Sequence, residues 1–184
     1  MLAMPSLLNL IPHPATPCPA LERIEVRVSR GVDGSLELGF VLHGDPAQLS
    51  IPPVRSPGPA DELWHHTCCE AFVGVRGDAA YREFNFSPSG QWAAYAFSDY
   101  RQRDESVTPA GEPTIGRRLL PGRLELFSHV PAELLPPPQS TLQLGLSAVI
   151  ETLDGHLSYW ALAHPAPRPD FHHRGGHTQA LAPL

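Results

Sequence analysis

Histidines and carboxylates gather in two places: His65-His66 just ahead of Thr67-Cys68-Cys69-Glu70, and His164 with Arg168, Asp170, His172 and His173 in LAHPAPRPDFHH. Between them, Glu83, Asn85, Tyr95 and Arg101 fall in or just after one alternating stretch, YREFNFSPSGQWAAYAF (81–97). Adjacent histidines on a strand point to opposite faces, so each pair could supply at most one ligand to a shared metal. A centre drawn from His65, His66, His164 and His172 would need three or four ligands in tetrahedral or octahedral array, and the chain has no H-E-x-x-H or C-x-x-C spacing. Histidines bonded to loop backbone are the preferred reading. Glu70 with Glu83 or Asp170 could form an acid-base pair for sugar chemistry, where carboxyl separations of about 5 to 10 Å are required. Cys68 or Cys69 beside His66 would make a nucleophile pair, but cysteines in an apolar strand are expected to be inert core thiols.

The element that must position the central group is a hairpin. Ser87-Pro88-Ser89-Gly90-Gln91 suits a type I turn followed by glycine in the left-handed region. That register sets Phe86 opposite Trp92, Phe84 opposite Ala94 and Arg82 opposite Ala96. One face, with Phe84, Phe86, Trp92, Ala94 and Ala96, reads as core. The other carries Tyr81, Glu83, Asn85, Ala93, Tyr95 and Phe97, rings mixed with a carboxylate and an amide. Such a face suits a ligand offering both hydroxyls and apolar patches, or else lies under another layer of the protein.

Around the hairpin, period-two or β-branched runs recur at 23–28, 35–42, 68–75, 123–130, 141–150 and 156–162, which with the hairpin's own strands makes about eight. Gly31–Gly34 and Asp154-Gly155 read as tight hairpin links, and only Pro131–Leu135 looks like a helical turn. The 22 prolines and 15 glycines cut the chain into short segments, and no amphipathic crossover helix is visible. The expected fold is all-β: an antiparallel β-sandwich of about eight strands with little helix, as one domain over residues 1–184. Residues 1–20 and 164–184 are expected to be irregular. Longer loops at 45–63 and 100–121 are the places where function could reside.

Composition narrows the partners. The formal net charge is −6 and all 13 basic residues are arginine, too few and too dispersed for a nucleic-acid interface. No run approaches the roughly 20 apolar residues of a membrane helix, and the proline-broken N-terminus lacks the pattern of a signal peptide. Three cysteines, Cys18, Cys68 and Cys69, cannot make a full disulfide framework, so free thiols and a cytoplasmic location are expected.

The segments LWHHTCCEAFVGV, YREFNFSPSGQWAAYAFSDYR and LAHPAPRPDFHH, in order over residues 63–173, resemble bacterial DOMON-like proteins related to the family 9 carbohydrate-binding modules. The resemblance implies a β-sandwich whose relatives bind sugars or haem. The sugar-binding modules clamp a terminal sugar between two tryptophans. This chain has only Trp64, Trp92 and Trp160, with Trp92 on the predicted core face, so no clamp is assigned. Haem-binding relatives use methionine with histidine, whereas the methionines here are Met1 and Met4 and there is no C-x-x-C-H motif.

The leading expectation is therefore a non-catalytic module for a small polar ligand, a carbohydrate above others. Its site would use Glu83, Asn85, Tyr95, Arg101, His164, Arg168, Asp170 and His172, with no cofactor, nucleic acid or membrane partner. A haem- or metal-binding protein using His65, His66, His164 or His172 is the alternative, and a small sugar-modifying enzyme the third. The proline-stiffened tail could both latch the C-terminus and form one wall of a site.

Overall fold

A computed structural model describes residues 5–184. The fold is all-β, with thirteen strands among the described residues and only four short 3-10 turns, at 46–48, 63–65, 132–134 and 174–176. The eight expected strands are all present: β2 (Leu21–Arg30), β3 (Leu36–Gly44), β5 (Cys68–Val75), β6 (Tyr81–Phe86), β7 (Gln91–Asp99), β10 (Arg123–Val130), β11 (Leu142–Glu151) and β12 (Leu157–Ala161). Five more complete the set: β1 (Ser6–Pro12), β4 (Gly58–Pro59), β8 (Gln102–Arg103), β9 (Thr114–Leu120) and β13 (Gln179–Leu181).

Three of these correct the sequence reading, β13 because it pairs with β11 inside the 164–184 segment expected to be irregular. Residues 1–20 are not wholly irregular, because β1 pairs with β2 through Ser6–Leu10 and then with β12 through Ile11 and Pro12. The layers of the expected sandwich are thereby joined into one curled path, β4-β7-β6-β5-β11-β12-β1-β2-β3-β10-β9. The strand escaped pattern reading because Leu7 and Ile11 face outward at 57% and 50% exposure, which masks its alternation. Likewise β9, inside the expected 100–121 loop, is an edge strand whose Leu119 is exposed.

Inside the curl lies the main core. Alternate residues of β2, β3 and β10 (Ile24, Val26, Phe40, Leu42, Leu124, Leu126) meet those of β5, β6 and β11 (Val73, Phe84, Phe86, Leu144, Leu146, Ile150). The hairpin register is the one its sequence predicts, Phe86 opposite Trp92, Phe84 opposite Ala94 and Arg82 opposite Ala96, with Gly90 at φ +91°. Cys18, Cys68 and Cys69 are buried free thiols. No helix among the described residues is long and apolar enough to cross a membrane.

A second, smaller cluster forms on the outer face of the β11-β5-β6-β7 region: Phe72, Tyr81, Ala93, Tyr95 and Phe97, with Leu63 and Phe171 packed over them. This is the mixed face of the hairpin. The 63–65 turn and the 164–177 tail lie across it, which is where the site forms.

Candidate functional site

The outer face is ordered in rows by strand register. Ser147, Glu70, Asn85 and Ala93 form one row across β11, β5, β6 and β7; Gly145, Phe72, Glu83 and Tyr95 form the next; Gln143, Gly74, Tyr81 and Phe97 the third. Glu70 and Glu83 are therefore diagonal neighbours on adjacent strands. Both are buried, at 2% and 5% exposure, and both line a cavity of about 440 Å³. Rings of Trp64, Phe72, Tyr95, Tyr159 and Phe171 wall it, and Arg101, Arg103, His65 and His172 reach it from the surrounding loops. More open depressions of about 710 and 760 Å³ lie beside β4 and the 50–66 segment, but no buried carboxylate lines either.

Polar contacts on the floor are few. Ser147 Oγ donates to Glu70 Oε2 at 3.2 Å, and Asn85 Nδ2 donates to Glu83 Oε1 at 3.0 Å. The amide oxygen of Asn85, on a residue with 0% exposure, has no partner. Burial raises the Glu70 carboxyl well above its ordinary range, and the Glu83 charge raises it further. Burial likewise pushes Glu83 up to about 7, against smaller lowering effects from Asn85, Arg101 and Arg103.

The tail supplies the opposite wall. Tyr81 OH accepts the backbone N–H of Arg101 at 3.1 Å and is hydrogen-bonded to His172 Nδ1 at 2.8 Å. His172 Nε2 faces Glu83 Oε2 at 3.6 Å. Desolvation holds His172 down to about 4, so near neutral pH this contact joins a neutral imidazole to a carboxyl group and is not an ion pair. Arg101 Nη2 donates to Asp170 Oδ1 at 2.8 Å, and Tyr100 OH donates to Asp170 Oδ2 at 2.5 Å. Arg103 stacks over Tyr95 at 4.2 Å from the ring centroid, and Tyr95 OH donates to Asp61 at 2.7 Å.

Two close approaches seat the tail. The His177 ring stacks on Phe72 at 5.4 Å, donates from Nε2 to Phe171 O at 2.9 Å, and lies where a side chain on Gly145 would begin. Arg174 lies over Gly74 in the same way and donates to Asp78 O. Neither glycine has a positive φ. Each is needed for the space it leaves, a known meaning of glycine within a strand.

Of the eight residues expected to bind ligand, Glu83, Tyr95, Arg101 and His172 line the cavity. Asp170 orients Arg101 from beside it, and Asn85 lies buried against Glu83. Two of the eight lie apart from the cavity. His164 bonds Ile11 O at 2.8 Å and stacks edge-on to His13, away from the cavity lining. Arg168 is exposed and pairs with neither Asp170 nor Glu70, because the stiff Pro165–Pro169 segment directs it outward while Arg101 takes Asp170. The histidines weighed for a metal are dispersed. His66 bonds Glu151 and His164 bonds backbone, leaving His65 and His172 at the cavity, and no group of three or more His, Cys, Asp or Glu positioned for a metal occurs among the described residues. Met1 and Met4, weighed for haem, lie outside the described residues.

Sequence reasoning missed Trp64, His65 as a cavity residue, Phe72, Arg103 and Tyr159. Trp64 precedes β5, stands at 36% exposure and meets Tyr95 edge-on at 6.0 Å. A signal was available for Phe72, since it shares with Glu70 the outward parity of β5. The only two described non-glycine residues with left-handed backbone, Glu62 (φ 60°) and Arg101 (φ 54°), flank this cavity, next to Leu63–His65 and within the β7–β8 turn.

No protein-family model matches the chain, and no curated protein matches it. Among solved structures it is similar to a candidate carbohydrate-binding protein from Bacteroides uniformis, with a TM-score of 0.67 at 17% identity over 95% of this chain and 84% of that one. It is more distantly similar to a family 9 carbohydrate-binding module from Caldicellulosiruptor kristjanssonii in complex with cellotriose, with a TM-score of 0.49 at 11% identity over 76% of this chain and 65% of that one. What the chain shares with the Bacteroides uniformis protein at this level is the fold.

Proposed function

We propose that this protein is a non-catalytic binding module whose outer-face cavity takes a saccharide. One observation carries the reading: the aromatic face of β5–β7 is covered by the 63–65 turn and the tail but is not filled, leaving about 440 Å³ between ring walls and a carboxylate floor. Aromatic rings suit the CH faces of a pyranose, while Glu83, Arg101 and Arg103 suit its hydroxyls. The two left-handed residues beside the cavity are further support, because strained backbone concentrates at ligand sites. The fold shared with a candidate carbohydrate-binding protein agrees with the reading.

Trp64→Ala tests it, since this half-exposed ring contributes wall area at the cavity mouth and little to the core. Calorimetric titration with a panel of mono- and disaccharides is expected to give saturable binding by the wild type. The variant is expected to lose about 2 kcal/mol, roughly 30-fold in affinity, with its melting temperature nearly unchanged. Absence of binding to every saccharide, or equal binding by the variant, would remove the proposal.

A further inference from the structure

The cavity floor holds two buried carboxyl groups with no counter-charge bonded to either. Glu70 and Glu83 make one hydrogen bond each among the described residues, from Ser147 and from Asn85, which leaves Glu70 Oε1 and Glu83 Oε2 unbonded, the latter facing His172 Nε2 at 3.6 Å. Asn85 Oδ1, on the residue paired across the strands with Glu70, is a third unpartnered oxygen in the same neighbourhood. Buried carboxylates are normally matched by a cation. Here the nearby cations form no ion pair with either carboxyl: Arg101 pairs with Asp170 at 2.8 Å, and Arg103 lies over the Tyr95 ring. No ion pair reaches Glu70 among the described residues, and the one contact to Glu83 is the neutral His172 at 3.6 Å.

A neutral sugar hydroxyl brings no counter-charge to the two carboxyls, so burial would keep Glu70 protonated beneath it. An ammonium group offers three donors and no acceptor. Aromatic walls add to the match, because a cation is attracted to ring faces and more so when desolvated. We infer that the site prefers an aminated monosaccharide, its protonated amine set on the Glu70–Glu83 floor and its ring against the aromatic walls. This rests on the saccharide reading above and specifies the ligand class of that same cavity.

The test compares glucosamine, galactosamine and mannosamine with their parent hexoses and their N-acetyl derivatives, by calorimetric titration at neutral pH and constant ionic strength. At least one hexosamine is expected to bind about tenfold or more tightly than its parent sugar, the scale of one additional charge-assisted hydrogen bond. Acetylation, which removes the charge and its donors, should abolish the preference. In Glu70→Gln and, separately, in Glu83→Gln, the hexosamine-to-hexose affinity ratio should fall toward one. Hexoses binding as well as or better than every hexosamine would overturn this inference and leave the saccharide reading standing. A preference unchanged in both variants would also overturn it, by assigning the effect to the overall negative charge of the protein. No binding by any member of the panel would overturn both.

Discussion

Raising the pH from 6 to 9 is expected to destabilise the unliganded protein, by roughly 1 kcal/mol from Glu83 alone and with Glu70 adding in the same direction, the opposite of the common behaviour of surface carboxylates. The sign follows from the floor of the cavity. The Glu83 carboxyl is raised from 4.5 to about 7 by burial, and Glu70 is raised well above 4.5 by burial and by Glu83. Above pH 4.5 the folded chain thus holds protons that the unfolded chain has released, so their contribution to stability declines as pH rises through the folded values. His172 and His177 act in the other direction. Burial lowers both from 6.5 to about 4, so the unfolded chain binds protons first and stability falls as pH drops from 6.5 toward 4. Between about pH 4.5 and 6.5 the two effects oppose each other; above that window the carboxylates act, joined toward pH 9 by the buried Cys68 and Cys69 thiols, which burial raises and which therefore act with the same sign. Urea unfolding midpoints at pH 6 and pH 9 measure this. Glu83→Gln and Glu70→Gln should each reduce the loss and raise stability at pH 9. A wild type equally stable at pH 6 and pH 9 would show that the two carboxylates are not buried as described.

The second large effect is steric. A methyl group on Gly145 would lie 2.3 Å from His177 Cδ2, and that ring cannot swing aside because Phe72 stacks on it and its Nε2 is bonded to Phe171 O. Gly145→Val should therefore displace the tail and cost about 2 to 3 kcal/mol, lowering the melting temperature by roughly 5 to 10 °C. Since Phe171 and His172 wall the cavity, saccharide affinity should fall with it. The double variant Gly145→Val, His177→Ala should recover part of the stability, because the clash belongs to that pair. If Gly145→Val leaves the melting temperature unchanged, the seating of the tail is different from the one described.

Much of the fold was legible because alternation, turn chemistry and register are local. FNFSPSGQW carries its own turn, and once Gly90 takes the left-handed position the two faces of β6 and β7 follow. Strands β1 and β9 were illegible for a physical reason: each places leucines or isoleucines toward solvent, so sequence pattern and burial part company. Strands β4, β8 and β13, of two or three residues, leave no period to read.

Half of the site was legible for the same reason, since Glu83 and Tyr95 belong to the hairpin face and Arg101 to the turn just beyond it. The remainder depends on how distant segments cross that face. His164 and Arg168 lie in the same tail as Asp170 and His172, yet the proline-rich path turns them away. Trp64, Arg103 and Tyr159 arrive from three separate elements whose approach no spacing encodes. Gly74 and Gly145, glycines inside otherwise apolar strands, were the readable trace that another segment packs closely there.

The three tryptophans give the most direct test of the central claim, that a saccharide enters the outer-face cavity. Trp64 stands at its mouth at 36% exposure, Trp92 lines the separate depression beside β4, and Trp160 is buried at 3%. With tryptophan indoles isotopically labelled, a titration of hexosamines and hexoses followed by NMR is expected to shift the Trp64 signal saturably while Trp160 stays fixed. A saturable shift confined to Trp92, or no shift at all across the series, would contradict the account.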